Sequence, residues 1–226
     1  MQPTSFLFDV DSTLVCIESV QEMARMSIQE QPDKARKKAL IKELEDITNA
    51  GANREIDLSE SLARRIALSP ISKKHVLQIT AEMLENITEG MPEFISALHR
   101  HGHSVWILSA SIRETILPLC RKLCIPDAHV FTNDAIWNND ILIGFEPSPL
   151  LQNDGKSEVV MKLKHGGQIT LPTIMIGDGA GDLDVFLSGA ADDFFGFGAH
   201  AKRPSVMTQA PHFFESVKEM RNYLSI

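Results

Sequence analysis

Near its start the chain runs from Phe6, Leu7 and Phe8 into Asp9, Val10, Asp11, Ser12 and Thr13. Carboxylates and hydroxyls thus follow an apolar run directly. Two later runs end the same way. Val105–Leu108 leads into Ser109, Ala110 and Ser111, and Ile174–Ile176 leads into Gly177, Asp178, Gly179, Ala180, Gly181 and Asp182. Lys156, at the start of a further helix, falls between these two clusters. Taken singly, each cluster also reads as a strand entering a polar turn, because Asp, Ser and Thr are ordinary turn formers. Taken together they offer specific chemistry. Carboxylates in close company repel one another unless a cation neutralises them. Mg²⁺ suits such a site, because it takes one or two carboxylates, keeps waters and accepts phosphate oxygens. A carboxylate is also a covalent nucleophile in aspartyl-phosphate chemistry. There Asp9 attacks phosphorus, while Asp11 serves the leaving oxygen as general acid and then water as general base. Lys156 and Ser109 supply a cation and a hydroxyl to the transferring phosphoryl group.

That chemistry requires the three clusters to meet, so the elements carrying them decide the matter. Residues 5–10 read as a short buried strand. Over 16–88 the apolar residues recur at helical spacing: Leu40, Leu44, Ile47; Leu58, Leu62, Ile66; Val76, Ile79, Met83, Ile87. Ser72 is placed to cap the last of these helices. Asn49, Gly51 and Asn53 break the region in its middle. After Gly90 helix and strand alternate. Pro92 suits the first turn of a helix that Gly102 ends, and residues 104–108 form a strand. A helix follows over 112–124, then a strand at 129–131. Residues 135–145 read as a hairpin turning at Asn138, Asn139 and Asp140. A helix begins near Gly155, and strands follow at 172–177 and 193–198, the last one expected. This alternation predicts an α/β fold: a Rossmann-like, mostly parallel sheet with helices on both faces, and a helical cap inserted after the first strand. The core domain is then 1–15 with 89–226, and the cap is 16–88. In such sheets ligands bind beyond the carboxyl ends of the strands, which is where all three clusters fall.

The bulk numbers agree. The chain has 226 residues, 43% apolar and 23% charged, a globular composition with room for one α/β domain and an insertion. A net charge of -8 argues against a nucleic-acid or anionic-membrane partner. No apolar stretch reaches the length of a membrane span. No basic leader with a cleavage site precedes the first strand, so the expected location is the cytoplasm. Cys16, Cys120 and Cys124 are too few and too irregular for a disulfide framework or a zinc site. His99, His101 and His103 read as a solvated helix end rather than a metal site.

The order of these motifs resembles that of the haloacid dehalogenase superfamily, and within it the phosphoserine phosphatases, from Phe6 to about Val206. The resemblance implies that Asp9 is the phosphorylated nucleophile and Asp11 the acid/base. It implies Mg²⁺ held by Asp9, the backbone carbonyl of Asp11, and Asp178. Ser109 and Lys156 match its phosphate-binding serine and lysine. Asp182 matches the second carboxylate of the last motif, which orients the lysine or a metal-bound water. Glu18 matches the contact to a substrate ammonium, and Arg65 the residue that captures a substrate carboxylate, a task suited to a planar guanidinium. The implied reaction is Mg²⁺-dependent hydrolysis of O-phospho-L-serine, by a monomer or homodimer acting on a small phosphorylated metabolite. A phosphatase for phosphoethanolamine, phosphocholine or a phospho-sugar is the alternative. The chain departs from the pattern in three places. Ser109-Ala110-Ser111 stands for Ser-Gly-Gly, Gly181 stands for Asn or Thr, and the cap carries extra residues, with Leu58 where a Phe is usual. Ala110 and Ser111 are expected to crowd or alter the leaving-group pocket. A phospho-accepting signalling module would also use a strand-end Asp, a cation and a Lys, but needs neither Asp11 nor a cap. A catalytically dead scaffold would not need Asp9, Asp11, Lys156 and Asp178 together.

Overall fold

The computed structural model describes residues 2–52 and 54–226. The strands are β1 (Ser5–Phe8), β2 (Ser104–Ile112), β3 (Val130–Asn133), β4 (Ala135–Asn138), β5 (Ile141–Phe145), β6 (Thr173–Gly177), β7 (Asp193–Phe197) and β8 (His212–Phe214). Six of them form one sheet in the order β3-β2-β1-β6-β7-β8. Every pairing in it is parallel. The chain moves outward from β1 through β2 and β3, then returns to β6 on the other side. The switch point, where an open α/β sheet leaves a crevice, therefore lies at the carboxyl end of β1.

Both faces of the sheet are buried, so its strands are apolar at successive positions rather than alternately polar. One face presents Phe6, Phe8, Val105, Ile107, Ile174, Ile176, Phe195 and Phe197. It packs on α5 (Met91–Arg100), α6 (Arg113–Lys122) and α10 (Val217–Leu224). The opposite face presents Leu7, Trp106, Leu108, Met175 and Phe194. It is covered by α7 (Gly155–His165), α8 (Ala180–Leu187) and α9 (Pro204–Gln209).

Between β1 and α5 come α1 (Ser19–Gln29), α2 (Lys34–Ala52), α3 (Leu58–Ala67) and α4 (Lys73–Glu85). No strand interrupts them among the described residues; Val15 and Ile87 make an isolated antiparallel bridge at the two ends of the insertion. Cys16 N–H donates to the Asn86 carbonyl at 3.2 Å, and Thr88 N–H to the Leu14 carbonyl at 2.9 Å. The chain thus enters and leaves the helical group at one point. Ser72 caps α4, with its N–H donating to His75 Nδ1 at 3.0 Å.

Several local expectations are corrected. The polar triplet 109–111 lies inside β2, which runs on to Ile112 across a register shift against β3. The following helix is Arg113–Lys122, and Cys124 lies beyond it at a φ of 57°. Asn49 and Gly51 sit in the last turns of α2 rather than outside it, and Asn53 lies outside the described residues. The strand at 193–198 is not the last, since β8 pairs with β7. Three residues carry too little pattern to be read as a strand. His103 is not solvated. It is buried, its Nδ1 accepts the Thr4 N–H at 3.2 Å, and its ring meets Phe6 edge-on. No helix among the described residues is long and apolar enough to cross a membrane.

A carboxylate fastens the start of β6. Asp192 Oδ2 accepts from Thr173 N–H and Thr173 Oγ, each at 2.7 Å, and from Lys164 at 3.3 Å. Burial opposes this charge, but the bonds from Thr173 prevail and hold the carboxyl below its ordinary 3.8. A depressed folded-state pKa stabilises the fold above the unfolded value and loses that contribution as pH falls through the folded one. Asp192→Asn is therefore expected to lower stability by about 1 kcal/mol at pH 7, a figure kept small because the side chain is half exposed. Urea melts should show the gap closing as pH drops below 3.8.

Candidate active site

The loop after β1 turns sharply back. Val10 C=O accepts from the N–H groups of Thr13, Leu14 and Val15 at 3.1, 2.8 and 3.1 Å. Ser12 takes a φ of 54°, in the left-handed region. This turn keeps Asp9 and Asp11 at the carboxyl end of the central strand. Two glycines let other elements close on it. A Cβ at Gly177 would lie 2.3 Å from Asp182 Cγ, so glycine at the end of β6 admits the Asp182 side chain. A Cβ at Gly155 would lie 1.8 Å from the Pro149 carbonyl oxygen, so only glycine starts α7 there and aims Lys156 inward.

These elements surround a cavity of about 200 Å³, lined by Asp9, Asp11, Glu18, Arg65, Ser109, Lys156, Asp178 and Asp182. Every site residue picked out by sequence is on its wall. Lys156 Nζ donates to Asp9 Oδ1 and to Asp182 Oδ1, each at 2.6 Å. Burial works against the lysine's charge, but the two carboxylates outweigh it and raise its pKa. Asp182 is itself anchored by the Gly179 N–H, which donates to Oδ2 at 3.0 Å. Burial pushes the Asp182 carboxyl up to about 6 despite Lys156. Asp178 is raised as well, by burial first and then by the charge of Asp9.

Asp9, Asp178 and Asp182 place carboxylate oxygens within 4.8 Å of one another. Three hard oxygen donors this close, two of them buried, form a group able to hold a divalent cation. The Asp11 side chain points elsewhere. Its Oδ2 accepts from Ser19 N–H at 3.0 Å and Ser19 Oγ at 2.7 Å. Its Oδ1 is buried with no hydrogen-bond partner among the described residues. Burial first, then the charges of Glu18 and Asp9, push this carboxyl up to about 8.

The end of β2 is held from two sides. Asn133 Nδ2 donates to the Ala110 carbonyl at 2.7 Å, and Ser111 N–H donates to Ser109 Oγ at 3.2 Å. Both groups belong to the peptide between residues 110 and 111, so Asn133 sets its orientation.

Arg65, on α3, is buried, and its Nε donates to the Ser61 carbonyl at 3.3 Å. It has no ion-pair partner among the described residues. Burial lowers its pKa, while the charges of Glu18 and Asp11 oppose that shift. Glu18 Oε1 accepts from Ser12 Oγ at 2.8 Å and from Arg203 at 3.3 Å.

Arg203 is absent from the sequence reading. Its Nε donates to Asp178 Oδ2 at 2.9 Å, so one guanidinium bridges Asp178 and Glu18. The available signal was its place in the loop after β7, on the same rim as the other clusters. Ser19 was missed too, having only its position after Glu18 to mark it. Two contacts close the helical group over the cavity. Arg54 pairs with Asp184 of α8. Asn153 Oδ1 accepts the Leu58 N–H at 3.0 Å while its Nδ2 donates to Asp57 at 2.9 Å.

Comparison with known proteins agrees with this geometry. Residues 6–186 match the haloacid dehalogenase-like hydrolase family. The phosphoserine phosphatase of Homo sapiens is 29% identical over 215 residues, covering 94% of this chain and 89% of that one. A phosphoserine phosphohydrolase-like protein from Francisella tularensis subsp. tularensis SCHU S4 superposes with a TM-score of 0.85 at 27% identity, covering 98% of this chain and 99% of that one. A phosphoserine phosphatase solved as a phospho-aspartyl intermediate analogue superposes with a TM-score of 0.81 at 26% identity, covering 99% of each chain. The chain belongs to the haloacid dehalogenase-like hydrolase family and is phosphoserine phosphatase-like within it.

Proposed function

We propose that this chain is a Mg²⁺-dependent phosphatase that hydrolyses O-phospho-L-serine to serine and phosphate. The observation that carries the substrate is Arg65, a buried cation on the cavity wall that feels the charges of Glu18 and Asp11 but has no acid in ion-pair contact among the described residues. A buried cation without a counter-ion is costly. A substrate carboxylate would relieve that cost and accept two parallel bonds from the guanidinium. Glu18 lies on the same wall and is suited to the substrate ammonium. Residues 16–88 act as a cap over a core of 1–15 and 89–226.

Asp9, Asp178 and the Asp11 backbone carbonyl would hold Mg²⁺, which supplies positive charge against the phosphoryl oxygens. The protein's own groups do the rest. An oxygen of Asp9 bonds to phosphorus while the ester P–O bond breaks. The leaving oxygen takes a proton from Asp11 and departs as serine. Asp11 then removes a proton from water, whose oxygen attacks phosphorus and frees Asp9 and inorganic phosphate. Lys156 and the Ser109 hydroxyl stabilise charge on the phosphoryl group throughout. Asp182 keeps Lys156 in place, and Arg203 keeps Asp178 and Glu18 from repelling each other.

The test is a steady-state panel of phosphoserine, phosphoethanolamine, phosphocholine and a phospho-sugar, run with and without Mg²⁺. Phosphoserine should have the highest kcat/KM, and only with the cation. Arg65→Ala should raise the KM for phosphoserine about 10- to 100-fold, the range for hydrogen bonds between charged groups. Phosphoethanolamine lacks the carboxylate and should suffer much less. An Arg65→Ala enzyme that treats phosphoserine like wild type would remove the carboxylate assignment.

A further inference from the structure

We propose that Ser111 is a positioning residue for Asp11, acting through Ser19; the inference rests on the reaction proposed above. Ser19 opens α1, and both its N–H and its hydroxyl donate to Asp11 Oδ2, at 3.0 and 2.7 Å. A serine hydroxyl has one hydrogen, and this one is spent on Asp11. Ser19 Oγ also lies 2.6 Å from Ser111 Oγ. Ser111 must therefore be the donor in that bond and Ser19 the acceptor. Thr115 Oγ1, 3.5 Å from Ser111 Oγ, already gives its hydrogen to the Ile112 carbonyl at 2.8 Å. The chain of hydroxyls thus runs one way, from Ser111 to Ser19 to Asp11. A hydroxyl that accepts a hydrogen bond becomes a stronger donor. Ser19, Ser111 and Thr115 are all buried, so solvent does not compete for these bonds.

The consequence falls on the proton of Asp11. With two donors on Oδ2, that oxygen stays an acceptor. That leaves Oδ1, the oxygen without a partner among the described residues, to carry the proton. A carboxyl held this way keeps its acidic oxygen fixed while phosphoryl transfer proceeds. The device belongs to residues where the chain departs from Ser-Gly-Gly, since a glycine at 111 has no hydroxyl to give. It also joins β2 to the first turn of α1. The contact that seats this helix therefore also orients the carboxyl.

The test uses leaving groups of different basicity. As the bond from Asp9 to phosphorus forms and the ester bond breaks, an alkoxide such as that of serine needs the proton from Asp11. A p-nitrophenolate departs as the anion and does not. The readout is kcat/KM for O-phosphoserine and for p-nitrophenyl phosphate, with Mg²⁺, for wild type, Ser111→Ala, Ser111→Gly and Ser111→Thr. Loss of the hydroxyl in the Ala and Gly variants should lower the alkyl substrate about tenfold more than the aryl one. Ser111→Thr, which keeps a hydroxyl, should recover most of the difference. In a Ser19→Ala background, Ser111→Ala should add no further selectivity, because its route to Asp11 is already cut. An equal fall on both substrates, or a fall that Thr does not recover, overturns the inference and leaves Ser111 a packing residue. A wild-type enzyme that hydrolyses neither ester overturns the phosphatase reading itself, and this inference with it.

Discussion

Asp9→Asn is expected to abolish turnover, with a loss of at least ~10³-fold in kcat, while leaving the fold intact. The amide matches the carboxylate in shape but cannot form an acyl phosphate. The surroundings give this variant an unusual stability profile. Asp9 adds to the burial that raises Asp178, and its charge also bears on Asp182. Removing that charge relieves repulsion among the acids, and Lys156 keeps Asp182 as a partner. The melting temperature should therefore hold or rise as activity disappears. A rapid-quench experiment with labelled substrate should trap a phosphoenzyme in wild type and none in the variant. Appreciable residual turnover would exclude covalent catalysis by Asp9.

Lys156→Met should cost both activity and stability. One preorganised charge donor to the phosphoryl group is worth about 10²- to 10³-fold in rate. Its removal also leaves Asp9 and Asp182 without the cation between them, with side chains only 14% and 3% exposed. Breaking a buried pair from one side typically costs about 3–5 kcal/mol. Because Asp182 is already pushed up to about 6 with the lysine present, it should bind a proton near neutrality without it. Adding Asp182→Asn to Lys156→Met removes the more deeply buried of the two stranded charges. Urea denaturation of the double variant should show much of the stability restored, and steady-state assays should show no recovery of rate. Recovery of both together would mean that Lys156 acts only as a structural counter-ion.

Much of the site was legible because it depends on local pattern plus one topological rule. Apolar runs ending in acids and hydroxyls mark strand ends. In a parallel sheet those ends share a rim, so Asp9, Ser109 and Asp178 could be placed together without coordinates. Lys156 follows from the helix that starts beside the same rim. Arg203 reaches the same rim from the far end of the loop between β7 and α9, but a basic residue before a proline carries no chemical signature of its own. β8 and α9 are too short for periodicity to show. His103 looked solvated because sequence shows a helix end but not the Thr4 N–H that meets it.

The amino-acid order by itself determined the strand-and-helix alternation, the all-helical insertion and the types of group on the rim, since these depend on hydrophobic period and turn chemistry within a few residues. Only the tertiary structure decided which group faces which. It set Ser111 against Ser19 across 92 positions of chain, clamped Arg203 between Asp178 and Glu18, and left one oxygen of Asp11 without a partner among the described residues. Such pairings depend on how separate elements pack at their ends, where a shift of a few tenths of an ångström makes or breaks a hydrogen bond, and no local pattern encodes that.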